Sequence, residues 1–294
     1  MKRTKIFSII AIILLLCMAG KFQDGHATAK GAATENGKVF EGKNKQLSSV
    51  HRIEADLNMI DFRIVPTKKQ KSSFSYSVYC KNSKNPLQYN VKNGVLHLKE
   101  AGYKGLSNKE RKQRFGDDWW KWKYRSKVIL YLPAKTGIKN IHVTKGDLSI
   151  GNQVHFSDMN IQMEEGDLVS SGLHVSGATK INLKEGDLVV NALTVSGNMQ
   201  VTAKEGDILA SGLKVSGNLQ INCDEGDILV AKIGKKYFDA MTITAVAVDG
   251  DMLVLGDMKT GKKKVKGYGY SYKKNGKGKG NLTIVTKEGD ILLR

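Results

Sequence analysis

Residues 165–184 read EGDLVSSGLHVSGATKINLK, and EGDLVV follows at 185–190, so the turn sequence that begins at Glu165 returns at Glu185. The same K/E-G-D-L/I turn occurs five times at this spacing, with its glycines and aspartates at Gly146, Asp147, Gly166, Asp167, Gly186, Asp187, Gly206, Asp207, Gly226 and Asp227. A second mark, V-S-G, ends at Gly177, Gly197 and Gly217. Two independent marks in one register predict a repeat architecture.

Apolar residues alternate within each unit, as at Thr179, Ile181 and Leu183, which is the period of a strand and not of a helix. Stacked units align equivalent side chains into interior columns: Ile161, Ile181, Val201 and Ile221; Leu168, Leu188, Ile208 and Ile228; and Met163, Leu183, Ala203 and Cys223. The pattern predicts an all-β, right-handed parallel β-helix, or β-solenoid, with coils of about 20 residues and three short strands per coil.

The E-G-D turns have a structural interpretation. Glycine reaches the positive φ of a sharp corner without a Cβ penalty, and aspartate accepts a hydrogen bond from a nearby backbone N–H. The alternative is calcium, because rows of aspartates and of glutamates at Glu165, Glu185, Glu205 and Glu225 supply many oxygens. The nine-residue glycine-aspartate calcium repeat is absent, so the corner role is favoured, and no metal or cofactor is predicted.

The N-terminus indicates export. Lys2, Arg3 and Lys5 precede an apolar or small run from Ile6 to Gly20, typical of a signal peptide or signal anchor at residues 1–20. The run is short for a membrane-spanning helix, which favours cleavage over anchoring. Either outcome places the body outside the cytoplasm, secreted or held by this segment.

The remaining chain divides by composition. Residues 21–49 are polar and predict a flexible spacer, and residues 50–294 predict the solenoid. Within it, 50–145 read as irregular early coils interrupted by a basic, tryptophan-rich excursion at 103–127, and 146–230 as regular repeats. Residues 231–294 read as C-terminal coils and a cap, in which a hairpin followed by a last coil caps the solenoid.

The net charge is +19, distributed as +19 over residues 1–145, −8 over 146–230 and +8 over 231–294. An exported basic protein meets anionic wall polymers, membrane lipids and glycans and not nucleic acid. Cys80 and Cys223 fall on apolar-alternating positions and predict buried free thiols. The six histidines show no close pair and no zinc-like spacing: His26, His51, His97, His142, His155 and His174.

The excursion at 103–127 contains nine Lys or Arg against three acidic residues. Indole rings suit sugar faces or lipid interfaces, and the cations attract phosphate or carboxylate polymers. The candidate ligand-binding residues are Trp119, Trp120, Trp122, Arg111, Arg114, Lys121, Lys123 and Arg125. The alternative is structural, with the tryptophans plugging one end of the solenoid or covering an open flank.

The run V-I-L-Y-L-P at Val128–Pro133, followed by I-H-V-T-K-G-D-L-S-I and serial E-G-D-L units, resembles the bacterial DUF4097 family of adhesin-like envelope proteins. The resemblance covers about Val50 to Arg294 and implies an outward-facing β-solenoid without catalytic residues to transfer. We therefore expect a non-catalytic adhesin or surface scaffold. The alternative is a glycan-cleaving lyase or hydrolase, which only fold analogy supports because no G-x-S-x-G motif occurs.

Overall fold

The computed structural model describes residues 38–57, 60–80, 85–101, 126–233, 235–254, 262–264, 269–278 and 280–294. Residues Thr34–Arg294 form one compact unit. The predicted leader at 1–20 and the first part of the predicted spacer lie outside the described residues. No helix in the described part of the chain has the length and apolarity that a bilayer crossing requires.

The central part of the chain winds through three sheets, A, B and C, in the repeating order B, A, C. The strands from this region are β8 (Lys135–Thr136), β9 (Asn140–Lys145), β10 (Leu148–Ile150), β11 (His155–Phe156), β12 (Met159–Glu165), β13 (Leu168–Ser171), β14 (His174–Val175), β15 (Thr179–Glu185), β16 (Leu188–Asn191), β17 (Thr194–Val195), β18 (Met199–Glu205), β19 (Ile208–Ser211), β20 (Lys214–Val215), β21 (Leu219–Glu225) and β22 (Ile228–Ala231). Each coil contributes one long and two short strands, which confirms the predicted three-stranded coil.

Parallel pairing places equivalent residues of successive coils side by side. Ile161 pairs with Ile181, Ile181 with Val201, and Val201 with Ile221. Leu168, Leu188, Ile208 and Ile228 form a second column and Met163, Leu183, Ala203 and Cys223 a third. All these residues are at most 3% exposed, so the predicted columns are the interior of the rod. Their burial supplies the hydrophobic stabilisation that no single coil could provide.

The N-terminal end adds layers whose order differs from the chain order. Its strands are β1 (Lys38–Gln46), β2 (Arg52–Asp56), β3 (Ile60–Thr67), β4 (Ser73–Cys80), β5 (Leu87–Lys92), β6 (Val95–Glu100) and β7 (Ser126–Pro133). The β2–β3 layer lies between the β9–β10 layer and the later β6–β7 layer, while β1, β4 and β5 pair antiparallel at the outer edge.

Strand β1 corrects one prediction. Residues 38–46 fall within the predicted spacer at 21–49, yet they pair antiparallel with β4, from Val39 opposite Tyr79 to Gln46 opposite Ser73. The spacer prediction is therefore wrong for these nine residues. Polar composition was misleading because an edge strand at the end of a rod keeps much of its surface in solvent and does not need strict alternation.

The C-terminal end also departs from chain order. It contains α1 (Lys235–Ala240), β23 (Thr242–Asp249), β24 (Met252–Val254), β25 (Lys262–Lys264), β26 (Tyr270–Lys274), β27 (Asn281–Glu288) and β28 (Ile291–Leu293). The last coil, β27–β28, stacks directly on β21–β22, and β23–β24 lie outside it. The predicted hairpin, β25–β26, is present and pairs with β23. Of the two predicted parts of the cap, the hairpin therefore lies at the outer end of sheet B, whereas the last coil lies one layer further in, beneath β23 and β24.

Candidate functional site

Among the described strands, nine layers each contain a strand of sheet B that leads into a strand of sheet A: β6–β7, β2–β3, β9–β10, β12–β13, β15–β16, β18–β19, β21–β22, β27–β28 and β23–β24. The connection between the two strands is the corner that the E-G-D sequence predicts. It is two residues long in seven layers and three in the β2–β3 layer. We call the edge of the rod formed by these corners the A–B edge.

Glycine is required at the A–B edge for two reasons. Gly166, Gly186, Gly206 and Gly226 have φ between 126° and 145°, a region that L side chains rarely adopt. A Cβ atom at Gly186 would also overlap the carbonyl oxygen of Gly166 in the layer below, and the same overlap recurs along the column. The corner thus depends on close contact between successive backbones as well as on local conformation.

The aspartates of the A–B edge form a hydrogen-bonded ladder. The Oδ1 atom of each aspartate accepts the backbone N–H of the aspartate in the next layer, and the N–O distance is 2.9 Å from Asp187 to Asp167 and 2.8 Å from Asp207 to Asp187. The ladder runs in layer order through Asp147, Asp167, Asp187, Asp207, Asp227, Asp290 and Asp251. One oxygen of each of the first six carboxylates is therefore engaged in building the corner.

Charges beside the ladder are partly compensated. The Lys145 ammonium lies 2.8 Å from Glu165 Oε2, which raises the pKa of Lys145, and Lys204 lies 3.0 Å from Glu205. Burial raises the pKa of the Asp167 carboxyl, the N–H of Asp187 lowers it, and the neighbouring ladder carboxylates raise it again. Among the described residues, no group of three or more His, Cys, Asp or Glu side chains is arranged to hold a metal ion.

The basic excursion occupies one of the nine A–B corners. Strand β6 ends at Glu100 and β7 begins at Ser126, so the whole segment 101–125 stands where most other layers have a two-residue corner. The candidate ligand-binding residues lie outside the described residues: Trp119, Trp120, Trp122, Arg111, Arg114, Lys121, Lys123 and Arg125. Their attachment point is nevertheless defined, because both flanking strands are in place at the outer, N-terminal end of the A–B edge.

Two features were not evident from the sequence. A second type of corner follows the sheet A strands and leads towards sheet C, and we call it the A–C corner. It also contains a residue with positive φ, as at Gly172, Ala192, Gly212 and Lys232. The sequence did not reveal this corner, because glycine occupies only two of the four positions and alanine and lysine occupy the others. The expectation of no close histidine pair is wrong as well. His155 and His174 pair on β11 and β14 with ring centroids 5.0 Å apart, and the step from 155 to 174 falls one short of the repeat period.

Cys223 is a buried free thiol in the core. Burial raises its pKa to about 12, and Asp207, Asp224 and Asp227 contribute in the same direction. The thiolate is the reactive form of cysteine, so this side chain serves packing and not chemistry.

Three largely parallel sheets with aligned interior columns and a laddered corner define a parallel β-solenoid. The Toastrack DUF4097 family model matches residues 140–294, more than half of the chain, and the protein belongs to that family. A search of curated proteins finds no match.

The chain is similar to solved structures at low sequence identity, and the first of those named here shares its fold. A "putative adhesin" from Bacteroides fragilis is 15% identical, with a TM-score of 0.52, and the alignment covers 89% of this chain and 98% of that one. A "putative adhesin" from Parabacteroides merdae and a "putative lipid binding protein" from Parabacteroides distasonis are each 13% identical over 89% of this chain and 98% of theirs, with TM-scores of 0.39 and 0.37.

Proposed function

We propose that the protein is an extracytoplasmic, non-catalytic scaffold that binds an anionic component of the cell envelope through the basic excursion. The observation that carries the proposal is the replacement of a short corner by the long segment 101–125 between β6 and β7. The seven two-residue corners show that the coil does not need such a length. An insertion at the end of a rigid rod is well placed for recognition, because binding residues concentrate on loops held by a scaffold.

The composition of the excursion selects the class of partner. Lys121, Lys123 and Arg125 surround or follow the tryptophan cluster, and the whole stretch 103–127 carries nine basic and three acidic residues. Cations attract phosphate or carboxylate groups, and indole rings contact sugar faces or the lipid interface. An anionic cell-wall polymer, a membrane lipid or an acidic glycan each combines these features.

Three further observations support the proposal. The basic start and apolar run of residues 1–20 are typical of an export signal, which supports a location of the body where such partners occur. The fold neighbour from Bacteroides fragilis is named as a "putative adhesin". On the rod itself, the ladder aspartates are engaged in hydrogen bonds that build the corner, which favours a scaffold over a catalytic role.

The test replaces residues 101–125 by a three-residue turn with the sequence of residues 57–59, which connect β2 to β3 in the adjacent layer. We expect a folded protein that no longer sediments with purified cell walls or with anionic vesicles. Wild-type binding should weaken as salt rises from about 0.1 M to about 1 M, because the Debye length shrinks from about 10 Å to about 3 Å.

A matched variant keeps the length of the insertion and changes only its charge, with Lys121→Gln, Lys123→Gln and Arg125→Gln. It should fold normally and lose most of the salt-sensitive binding. If the shortened protein unfolds, the tryptophans plug the rod, as in the alternative interpretation. If it binds as the wild type does, the excursion is not the binding site.

A further inference from the structure

Sheet C carries a row of cationic and imidazole side chains on its outer surface. Each of its five strands has two residues, of which the first faces outward. These first residues pair in register along the sheet, in the order Lys135, His155, His174, Thr194 and Lys214. All are exposed except Thr194, which is half-buried. We call this set the sheet C row. At about 4.8 Å per strand it extends for about 19 Å along the rod.

The two histidines in the sheet C row are in direct contact. The rings of His155 and His174 stack with centroids 5.0 Å apart and an interplanar angle of 10°. Histidine is the side chain that ordinarily changes charge between about pH 8 and about pH 5. Two stacked rings that are both charged repel each other, and an anion that bridges them removes this repulsion.

None of the five described strands of sheet C contains an acidic residue. The nearest acidic group in sequence is Asp158, at the corner that follows β11. Its Oδ1 atom accepts the N–H of Ala178 at 3.0 Å, and its Oδ2 atom lies 3.7 Å from the Lys139 ammonium. The sheet C row is therefore a line of potential positive charge, and all of its residues except Lys135 lie in the part of the chain, residues 146–230, whose net charge is −8.

We propose that the sheet C row binds a linear phosphate-bearing polymer, and that binding strengthens on acidification. The row is one residue wide and several layers long, so it fits a single extended chain that runs along the rod axis. A bilayer surface would instead favour a broad basic patch or an apolar face. Lys135 and Lys214 lie at the two ends of the row, and His155 and His174 lie between them. Lysine is an ammonium donor for phosphate, and histidine is the residue type that gains charge in mild acid.

This site is separate from the basic excursion, which is attached at the A–B edge, so the two proposals fail independently. Lysine and arginine keep their charge throughout the histidine range. Binding through the excursion is thus insensitive to a change from about pH 7.5 to about pH 5.5, whereas binding through the sheet C row is not.

The experiment measures the affinity of the purified protein for short-chain inorganic polyphosphate at about pH 7.5 and about pH 5.5. We expect about tenfold tighter binding at the lower pH, from two added charges partly screened by solvent. The double variant His155→Gln, His174→Gln should lose most of this gain. The control His142→Gln changes a half-buried histidine of sheet B that lies 3.7 Å from Glu164, and it should keep the gain.

Two further arms complete the test. Lys135→Gln with Lys214→Gln should weaken polyphosphate binding at both pH values. The variant with the shortened excursion should retain the pH-dependent gain. The proposal is overturned if the double histidine variant keeps the full gain, if His142→Gln abolishes it, or if the protein binds anionic phospholipid vesicles in acid but not polyphosphate.

Discussion

The middle of the rod and its two ends differ in how the order of the layers follows the order of the chain. From β9 to β22 the order of the layers is the order of the chain, and each coil packs on the one before it. At both ends, a terminal coil is instead held between two others: β2–β3 between β6–β7 and β9–β10, and β27–β28 between β21–β22 and β23–β24. A coil at the end of a solenoid would fray, because it has only one neighbour. Because each terminal coil lies between two other coils, it has a neighbour on both sides.

The largest expected effect comes from removing residues 281–294. In a rod built in simple chain order, this would delete only the last layer. Here it removes the layer between β21–β22 and β23–β24, including Leu282, Ile284, Ile291 and Leu293, each at most 1% exposed. With about 2–5 kcal/mol lost per large core side chain, we expect β23 and β24 to lose hydrogen-exchange protection and the protein to aggregate.

The point variant Ile284→Ala is the control for this deletion. It should cost about 2–5 kcal/mol of unfolding free energy in denaturant melts and leave the layer order unchanged. Retained protection of residues 242–254 after the deletion would show that β27–β28 do not hold the outer layer in place.

Gly186→Val tests the regular middle and should be the most damaging of the point substitutions there. Valine at φ 128° is strained, and its Cβ would overlap the carbonyl oxygen of Gly166. We expect a loss of at least about 3 kcal/mol, from backbone strain and from separation of two layers. Gly137→Val is the matched control, because a Cβ at Gly137 meets no atom of the described chain within 4 Å. Its thermal midpoint should change little, and equal damage at both positions would exclude this mechanism.

Sequence reasoning succeeded in the middle because each coil repeats the same local requirement. Glycine at the A–B corner and alternating apolar residues recur every 20 positions, so register follows without knowledge of the structure. The ends could not be predicted in the same way. Leu219 pairs with Leu282, far along the chain, while the turns at Asp249–Met252 and Glu288–Ile291 look alike. Nothing local indicates which of the two stacks on β21, because long-range packing decides it.

The candidate sites show the same limit. The basic excursion was visible in the sequence as an interruption of the repeat, but its position at an A–B corner required the pairing of β6 with β2 and of β7 with β3. The contact between His155 and His174 was hidden because the coil between them is one residue shorter than the repeat there. Spacing arguments detect residues that keep the period, and miss neighbours whose spacing departs from it.

Ser170→Ala should stabilise the middle of the rod. Ser170 is 4% exposed and its hydroxyl has no hydrogen-bond partner among the described residues, although it pairs with Ile150 and Val190 in an apolar column. Removing an unpaired buried hydroxyl should raise the unfolding free energy by about 1 kcal/mol in urea titrations. Ser171→Ala, at the more exposed next position, should stay within about 0.5 kcal/mol. A loss of stability in Ser170→Ala would show that the hydroxyl does find a partner.

Ala192→Gly, at the A–C corner, should stabilise the folded protein. Ala192 has φ 54°, where Gly172 and Gly212 stand in the neighbouring layers. The left-handed conformation costs alanine about 1–2 kcal/mol, and the greater chain entropy of glycine offsets about half of that. We expect a net gain of about 0.5–1 kcal/mol by chemical denaturation. The reciprocal change Gly212→Ala should lose stability, and Ala178→Gly, where φ is not positive, should lose about 0.5 kcal/mol.

The smallest effect concerns charge in the ladder. Burial and the flanking Asp147 and Asp187 raise the pKa of Asp167 above its ordinary value of 3.8, so the folded state binds the proton more tightly than the unfolded chain. The contribution of this group to the free energy of unfolding is therefore fully present below about pH 4, and it is lost as pH rises through the folded pKa.

In Asp167→Asn the amide oxygen still accepts the Asp187 N–H, as the Asn198 amide oxygen accepts the Asn218 N–H. Because the carboxylate is partly exposed, we expect this variant to gain less than about 1 kcal/mol at pH 7 and nothing below about pH 4. Asp251→Asn, at the end of the ladder with one carboxylate neighbour, should gain less still. Thermal melts between these pH values measure the difference, and a gain that does not vary with pH would contradict an electrostatic origin.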